Sequence, residues 1–303
     1  MSGGRSAPAA ADAPRSGPGP HGAVCVEIAV KDDPRLLTAI DSLAAQHRRP
    51  DRVLVAASPL TPDDLAEAAV RRQPSLRVEL VRLPGGPVDA RVEAMPLLAE
   101  PTTAFLDSDE VAPPEWLERI VAPVENGSAA FSGGPTRPLR APSNSIQRYM
   151  ELLEASIYDD LVRRSIAYLP LGNTAWDTGV LKRFGFDARV TAEDHDLETR
   201  VLAAGLQGVF LPEAWVYHDK SYETSYLRWA RKRYVWLFQM AVSLMKNGKL
   251  SARWHERRRP IRHPLYYVEA LMKPVALVHA RLRWSRVGDP PPAGPTVLPR
   301  PPQ

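Results

Sequence analysis

Two carboxylates, Asp107 and Asp109, follow directly on the apolar run Ala104-Phe105-Leu106, with Ser108 between them. If that run is a buried strand, both acids are delivered to its carboxyl edge. Hard divalent cations such as Mg2+ or Mn2+ take oxygen ligands, and they bind through one or two carboxylates together with a substrate's phosphates. The pair could therefore meet a metal ion and a diphosphate, although a bare Asp-x-Asp is also the composition of a solvated turn. A second acidic constellation lies downstream, in Thr191-Ala192-Glu193-Asp194-His195-Asp196-Leu197, where Leu197, Val201 and Leu202 continue at helical spacing to Gly205. Acidic residues in a first helical turn complement the macrodipole in any case. A partly desolvated carboxylate there could also act as general base towards an attacking hydroxyl.

The elements that would position these groups alternate along the chain. Val24 to Val30 reads as a first strand, and Asp33-Pro34 as the N-cap and first position of a helix carrying Leu36, Leu37, Ile40 and Leu43. Val53 to Ala57 is a second strand, followed by a helix opened by Thr61-Pro62 with Leu65 and Ala69 inward. Leu76 to Leu83 is a third strand ending in Pro84-Gly85-Gly86, Val88 to Leu98 a third helix, and Thr103 to Leu106 a fourth strand. This βαβαβαβ order predicts an α/β fold with a Rossmann-like, mostly parallel, doubly wound sheet, in which ligands sit outside the carboxyl ends of the strands. No internal repeat interrupts it.

Composition bounds the rest. At 303 residues with 44% hydrophobic and 24% charged content, the chain can bury a full-sized core. Residues 1–22, rich in Ala, Pro, Gly and Ser, and the Pro-rich 289–303 read as disordered tails, and the first carries no apolar segment of the signal-peptide kind. The single cysteine, Cys25, excludes an intramolecular disulfide, fits a reducing cytoplasmic compartment and reads as core within Val24-Cys25-Val26. The net charge of +4 hides an asymmetry: residues 220–286 hold sixteen Lys and Arg against three Glu, a net of +13, and the remainder is at −9. A segment so basic attracts phosphates, whether of a membrane, a nucleic acid or a substrate.

Taken together, these pieces resemble the inverting glycosyltransferases of family 2, which have the GT-A fold. The resemblance runs from about Val24 to about Arg233. It rests on Ser42-Leu43-Ala44-Ala45-Gln46, Arg91, Phe105-Leu106-Asp107-Ser108-Asp109, Gly172-Asn173, Phe184-Gly185-Phe186-Asp187, Glu193-Asp194-His195-Asp196-Leu197, Ala204-Gly205 and Tyr217-His218, in that order. It implies a transfer of sugar from a nucleotide-diphosphate donor to an acceptor hydroxyl, with a divalent metal, Mn2+ or Mg2+, as cofactor. Asp107 and Asp109, joined by His218, would meet the metal; Asp194, with Glu193 as neighbour, would be the catalytic base. Arg91 would contact the donor beside Gly85-Gly86, and Asn173 and Trp176 would shape the acceptor pocket. Trp176 has a core position as its other reading, His218 a strand-end cap, and the glycine pair a plain turn.

Two departures are visible. The second strand is followed by Ala56-Ala57-Ser58-Pro59 where relatives place a base-reading Asp, so Asp32 or Asp33 of the first loop would supply the base or ribose contact. Ser225-Tyr226-Leu227-Arg228-Trp229 has Ser225 where processive members have Gln, so processive polymerisation is not inferred. Arg228 and Arg231 would contact the diphosphate or lie on a solvated helix face.

The expected organisation is therefore a catalytic domain over 23–222 and a basic, aromatic helical appendage over 223–288. Tyr234 to Met245 and Leu265 to Trp284 are apolar but short or interrupted for a spanning helix. Arg257-Arg258-Arg259 and Arg281 to Arg286, with Trp229, Trp236, Trp254 and Trp284, flank them. Two readings stand: a helical lid on the core, or an appendage in the interface of an anionic membrane at the inner face of the cell membrane, with a lipid-linked acceptor. The richness in Ala, Arg and Pro suggests a high-GC bacterial source. A sugar-nucleotidyltransferase would need a Gly-rich basic signature after the first strand, which Lys31-Asp32-Asp33 does not supply. Nucleic-acid binding would leave both carboxylate constellations without a role. A catalytically inactive nucleotide-sugar-binding scaffold of the same fold is the remaining alternative.

Overall fold

The computed structural model describes residues 22–85, 87–164, 169–187, 190, 192–248 and 261–287. The N-terminal tail to residue 21, Gly86, Thr191, Trp254, Arg257-Arg258-Arg259 and the Pro-rich tail lie outside the described residues, and nothing is described of the side chains of 284–287.

The chain begins with β1 (Val24–Val30), α1 (Leu36–Ala44), β2 (Arg52–Ala57), α2 (Asp63–Arg71), β3 (Val78–Arg82), α3 (Pro87–Ala94) and β4 (Thr102–Leu106). These strands pair in parallel in the order β3-β2-β1-β4. β2 is buried along its whole length, as befits a strand covered on both faces. The next segment supplies β5 (Glu110–Val111), α4 (Trp116–Glu125), β6 (Phe131–Gly133), β7 (Thr136–Pro138) and α5 (Ser145–Arg164). β8 (Asn173–Asp177), α6 (Thr178–Phe184), α7 (Glu193–Ala203), β9 (Gly208–Phe210) and β10 (Val216–His218) complete the two sheets. The main sheet runs β3-β2-β1-β4-β8-β6-β9, with β8 antiparallel to both its neighbours. A small second sheet, β5-β10-β7, stands beside it.

Each face of the main sheet carries its own core. Val24, Val26, Ile28 and Val30 of β1 point with α1 and α4 into one, while Cys25 joins α3, α7 and Trp176 in the other. Cys25 is fully buried, and burial pushes its thiol up to about 12, so it is a core side chain rather than a nucleophile. Glu27 interrupts this alternation on the second face, 2% exposed beneath α3.

Some boundaries differ from the sequence reading. The regular α1 is assigned from Leu36, two residues after Pro34, and the turn before it is held by Asp33, which accepts from the Arg35 backbone N–H at 3.0 Å in the manner of an N-cap and from its Nε at 2.8 Å. Thr61 does not cap α2; its hydroxyl donates to the Lys31 carbonyl at 2.7 Å and ties down the loop after β1. Gly85 takes φ +82° at the turn into α3, a conformation open to glycine.

After β10 come α8 (Tyr226–Lys246) and α9 (Pro264–Val287). Ser225, standing where processive relatives have Gln, caps α8 by accepting from the Arg228 N–H at 3.4 Å. α8 and α9 share a core with α5 built on Ile146, Tyr149, Trp229 and Leu265. At its centre the buried Glu269 accepts from Tyr149 at 2.7 Å and from Arg233 Nε at 3.0 Å. No helix of the described residues is long and apolar enough to cross a membrane.

Candidate active site

The turn Asp107-Ser108-Asp109 leaves β4 and leads at once into β5. Glu110 closes it, its N–H donating to the Asp107 carbonyl at 3.0 Å and its carboxylate accepting from the Asp107 N–H at 3.1 Å. β5 pairs antiparallel with β10 so that His218 stands opposite Glu110. The two-residue strand thus carries His218 to Asp109, Nε2 lying 3.2 Å from Oδ2. The Tyr222 hydroxyl donates to the same oxygen at 3.2 Å, and Arg35 approaches it at 3.6 Å. Arg35 also stacks over Tyr222 at 4.2 Å and donates to the Asp219 carbonyl at 2.6 Å, locking the loop after β1 to the strand that bears His218.

From the other side, α3 and α7 pack over the second core and bring Arg91 between the two acidic constellations. Its guanidinium donates to Glu193 Oε1 and to Asp107 Oδ1, each at 2.8 Å. Gly172 lets Asp107 settle against β8: a Cβ there would fall 2.4 Å from Oδ2. These groups border a cleft of about 510 Å3 at the carboxyl ends of β1 and β4, lined by Lys31, Asp32 and Asp33, by Arg91, and by Asp107, Ser108 and Asp109. That is the position where doubly wound sheets take their ligands.

The α7 turn divides its labour. Glu193 faces Arg91, and Asp194 accepts from the His195 N–H at 2.7 Å. His195 Nδ1 meets Ser243 Oγ on α8 at 2.9 Å. Asp196, fully buried, receives Arg200 at 2.8 Å and Lys246 and Asn247 at 2.9 Å. Glu193 thus meets the cleft wall through Arg91, and His195 and Asp196 anchor α8.

Asn173 and Trp176 do not join the cleft. Asn173 has no exposed surface, and its amide is fully engaged, accepting from Trp116 Nε1 at 2.7 Å and donating to the carbonyls of Pro135 at 3.0 Å and Ala214 at 2.9 Å. Trp176 is also fully buried and stacks on Phe131 at 4.4 Å, so it is core. Both sit on a strand buried on both faces, which leaves them no surface for an acceptor. Arg228 and Arg231 lie on the exposed face of α8 and do not line the cleft.

Electrostatically the site is an excess of carboxylates around few cations. The side chain of Asp107 keeps 41% of its surface open, yet it sits in a concave wall where protein displaces bulk water. Burial and then the charge of Asp109 raise its pKa, against the pull of Arg91. Burial acts against ionisation of Asp109 too, but the hydrogen bond and charge of His218 bring it below the ordinary carboxylate range. Burial resists the charging of His218, and Asp109 overrides it, raising the imidazole to about 9. Glu110 is pushed well up by burial and by Asp107. Burial and Asp194 raise Glu193 to about 7 despite Arg91.

Such crowded like charge suits a hard cation. No closed cage of three His, Cys, Asp or Glu side chains stands among the described residues. Asp107 and Asp109 nonetheless present oxygens on one cleft, with His218 beside Asp109, a donor set suited to an ion that takes its remaining ligands from a diphosphate.

Four contributors were not singled out from the sequence. Arg35 and Tyr222 left no signal, because each acts across the fold. Glu198 is buried and pushed well up by burial and by Asp194. Glu27 did leave one, as the single charge in Val24 to Val30. Both of its carboxyl oxygens and Arg91 Nε are buried without a hydrogen-bond partner among the described residues. Burial raises Glu27 from 4.5 to about 7, Arg91 opposing and Asp107 adding. The stability this carboxyl contributes is full below about 4.5 and lost as pH rises through 7, on the order of 3 kcal/mol. The melting temperature of Glu27→Gln should therefore gain on the parent between pH 4.5 and 7 and hold that gain at pH 8. A difference independent of pH would refute the assignment.

The sheet order, with paired carboxylates after the fourth strand at the ligand edge, is that of an α/β enzyme. The chain matches "Glycosyltransferase like family 2" over residues 21–235 and belongs to that family: it is a glycosyltransferase. No curated protein matches the chain. Among solved structures it resembles the mannosyltransferase PcManGT from Pyrobaculum calidifontis in complex with GDP-Man and Mn2+, at 18% identity and TM-score 0.59 over 89% of this chain and 77% of that one. Glucosyl-3-phosphoglycerate synthase from Mycobacterium tuberculosis, in complex with Mn2+, UDP and phosphoglyceric acid, is similar at 16% identity and TM-score 0.56 over 76% and 80%. S. aureus TarS 1-349 is similar at 17% identity and TM-score 0.51 over 88% and 73%. At these identities the likeness establishes the fold.

Proposed function

We propose that the protein is a metal-dependent, inverting glycosyltransferase that moves a sugar from a nucleotide-diphosphate donor to an acceptor hydroxyl. The observation that carries this reading is the joining of both acidic constellations by Arg91, at 2.8 Å to each, on the wall of one cleft. Asp107 and Asp109, with His218 after it gives up its proton, are the groups that would hold Mn2+ or Mg2+. Such an ion supplies Lewis-acid stabilisation of the departing diphosphate. Lys31, Asp32 and Asp33 border the same cleft and are the candidates for contact with the nucleoside. Glu193 acts through Arg91 as a positioning residue. Asp194 takes the proton of the acceptor hydroxyl as its oxygen attacks the anomeric carbon opposite the diphosphate, which inverts the configuration without a covalent enzyme intermediate.

Solved structures of the same fold hold Mn2+ with GDP-Man or UDP, which supports the metal and the donor class. The catalytic unit spans 23–222 and the helical appendage 223–288; the acceptor is lipid-linked if that appendage meets a membrane. A thermal-shift panel of UDP-, GDP- and dTDP-sugars with and without Mn2+ identifies the donor. Hydrolysis of that donor should require Mn2+ and fall at least 100-fold in Asp109→Ala, as for loss of a group that stabilises developing charge. A panel with no response, or hydrolysis untouched by Asp109→Ala, would defeat the reading; donor binding without turnover would leave a binding module.

A further inference from the structure

α9 carries a face that no other part of the described residues covers. Tyr267, Val268, Leu271, Val275, Val278 and Leu282 are between 40% and 75% exposed. At about 100° per residue they fall within an arc of roughly 100° on the helix surface. The buried residues Leu265, Glu269, Ala276 and Ala280 lie on the opposite side, against α5 and α8. The helix is therefore amphipathic twice over, with one apolar face inside the protein and a second turned outward from Tyr267 to Leu282, a stretch of roughly 24 Å. Exposed apolar runs of this length mark an interaction surface.

Charge selects the occupant. Arg281 and Arg283, both exposed, fall on the two sides of the stripe. Arg228, Arg231 and Arg262, towards the N-terminal ends of α8 and α9, are exposed as well. The acids do not offset it: α8 has none, and Glu269 of α9 is buried with Arg233. A second copy of the chain would bring two such basic ends together. A nucleic acid would meet the arginines but gain nothing from the apolar stripe. An anionic bilayer satisfies both, with the stripe in the acyl boundary and the arginines among the headgroups.

We infer that the outward face of α9 is a docking surface for an anionic membrane, on which the helix lies parallel to the bilayer plane. The inference rests on α8 and α9 alone and deepens the proposed function by giving a lipid-linked acceptor a membrane on which the enzyme is held. It is tested by flotation of the full chain with phosphatidylcholine vesicles containing about one third phosphatidylglycerol, against pure phosphatidylcholine. The bound fraction should be at least tenfold higher on the anionic vesicles and fall at high salt. Leu271→Glu with Val278→Glu should lower binding at least tenfold, and Arg281→Gln with Arg283→Gln should remove the anionic preference, both at unchanged melting temperature. Absence of flotation at low salt, equal binding by the Glu variant, or a solution dimer that this variant dissociates would each overturn the inference. Donor hydrolysis measured on the same samples should be retained in both variants, so failure of docking and failure of the chemistry read out separately.

Discussion

Asp194→Asn is expected to lower glycosyl transfer by about 10²–10⁴-fold while donor affinity stays within twofold of the parent, because general-base assistance is worth that much and nothing else about the residue changes. The amide has the volume of the acid. Its oxygen can still accept from the His195 N–H, which Asp194 now does at 2.7 Å, so the first turn of α7 keeps its geometry. What is lost is the ability to take a proton from the acceptor. Initial rates at saturating donor, together with donor titration by thermal shift, separate the two effects. Transfer within threefold of the parent, or a parallel loss of donor binding, would show that Asp194 does not act as the base.

The second large effect concerns Arg91. Its guanidinium is the shared partner of Asp107 and Glu193, and Glu27 and Asp194 also favour its charge although burial opposes it. Arg91→Met preserves much of the apolar stem and removes the charge. Breaking a buried pair by deleting one partner typically costs about 3–5 kcal/mol, since the remaining carboxylates are left uncompensated. The melting temperature should fall by roughly 6–10 °C at pH 8, with donor turnover lost as Asp107 is no longer held. The fall should shrink below pH 7, where Glu193 and Glu27, both raised to about 7, take up protons and relieve the repulsion. Arg91→Lys should be intermediate, because a single ammonium cannot span both partners as the planar fork does. A melting temperature within 1 °C of the parent in Arg91→Met would remove Arg91 from its central place.

What could be read from the chain follows from how local each signal is. β1, β2 and β4 were legible to within a residue because buried parallel strands are written as short apolar runs. The two acidic constellations were legible because each is contiguous. The strand pair that carries His218 was not legible as a pair: β5 has two residues and β10 three, too short for alternation to show. Asn173, beside Gly172, read as a pocket amide, and Trp176 read as pocket or core, because such side chains look the same in both; only their complete burial decides. The capping role of Asp33 was legible, since it accepts from the Arg35 N–H two residues on, but the regular helix begins only at Leu36, an end effect that a propensity argument does not fix.

The first turn of α7 has a consequence for anyone recombining such proteins. Glu193 holds Arg91 of the cleft wall, while His195 and Asp196 hold Ser243, Lys246 and Asn247 at the far end of α8. The boundary between catalytic core and appendage is therefore not a seam at which parts can be exchanged. A chimera that imports a foreign tail after residue 225 would strip Asp196 of two of its three partners, and the strain would fall on the turn that also carries Asp194, the base proposed above. Swaps that keep those three α8 residues in register have the better prospect of yielding working hybrids.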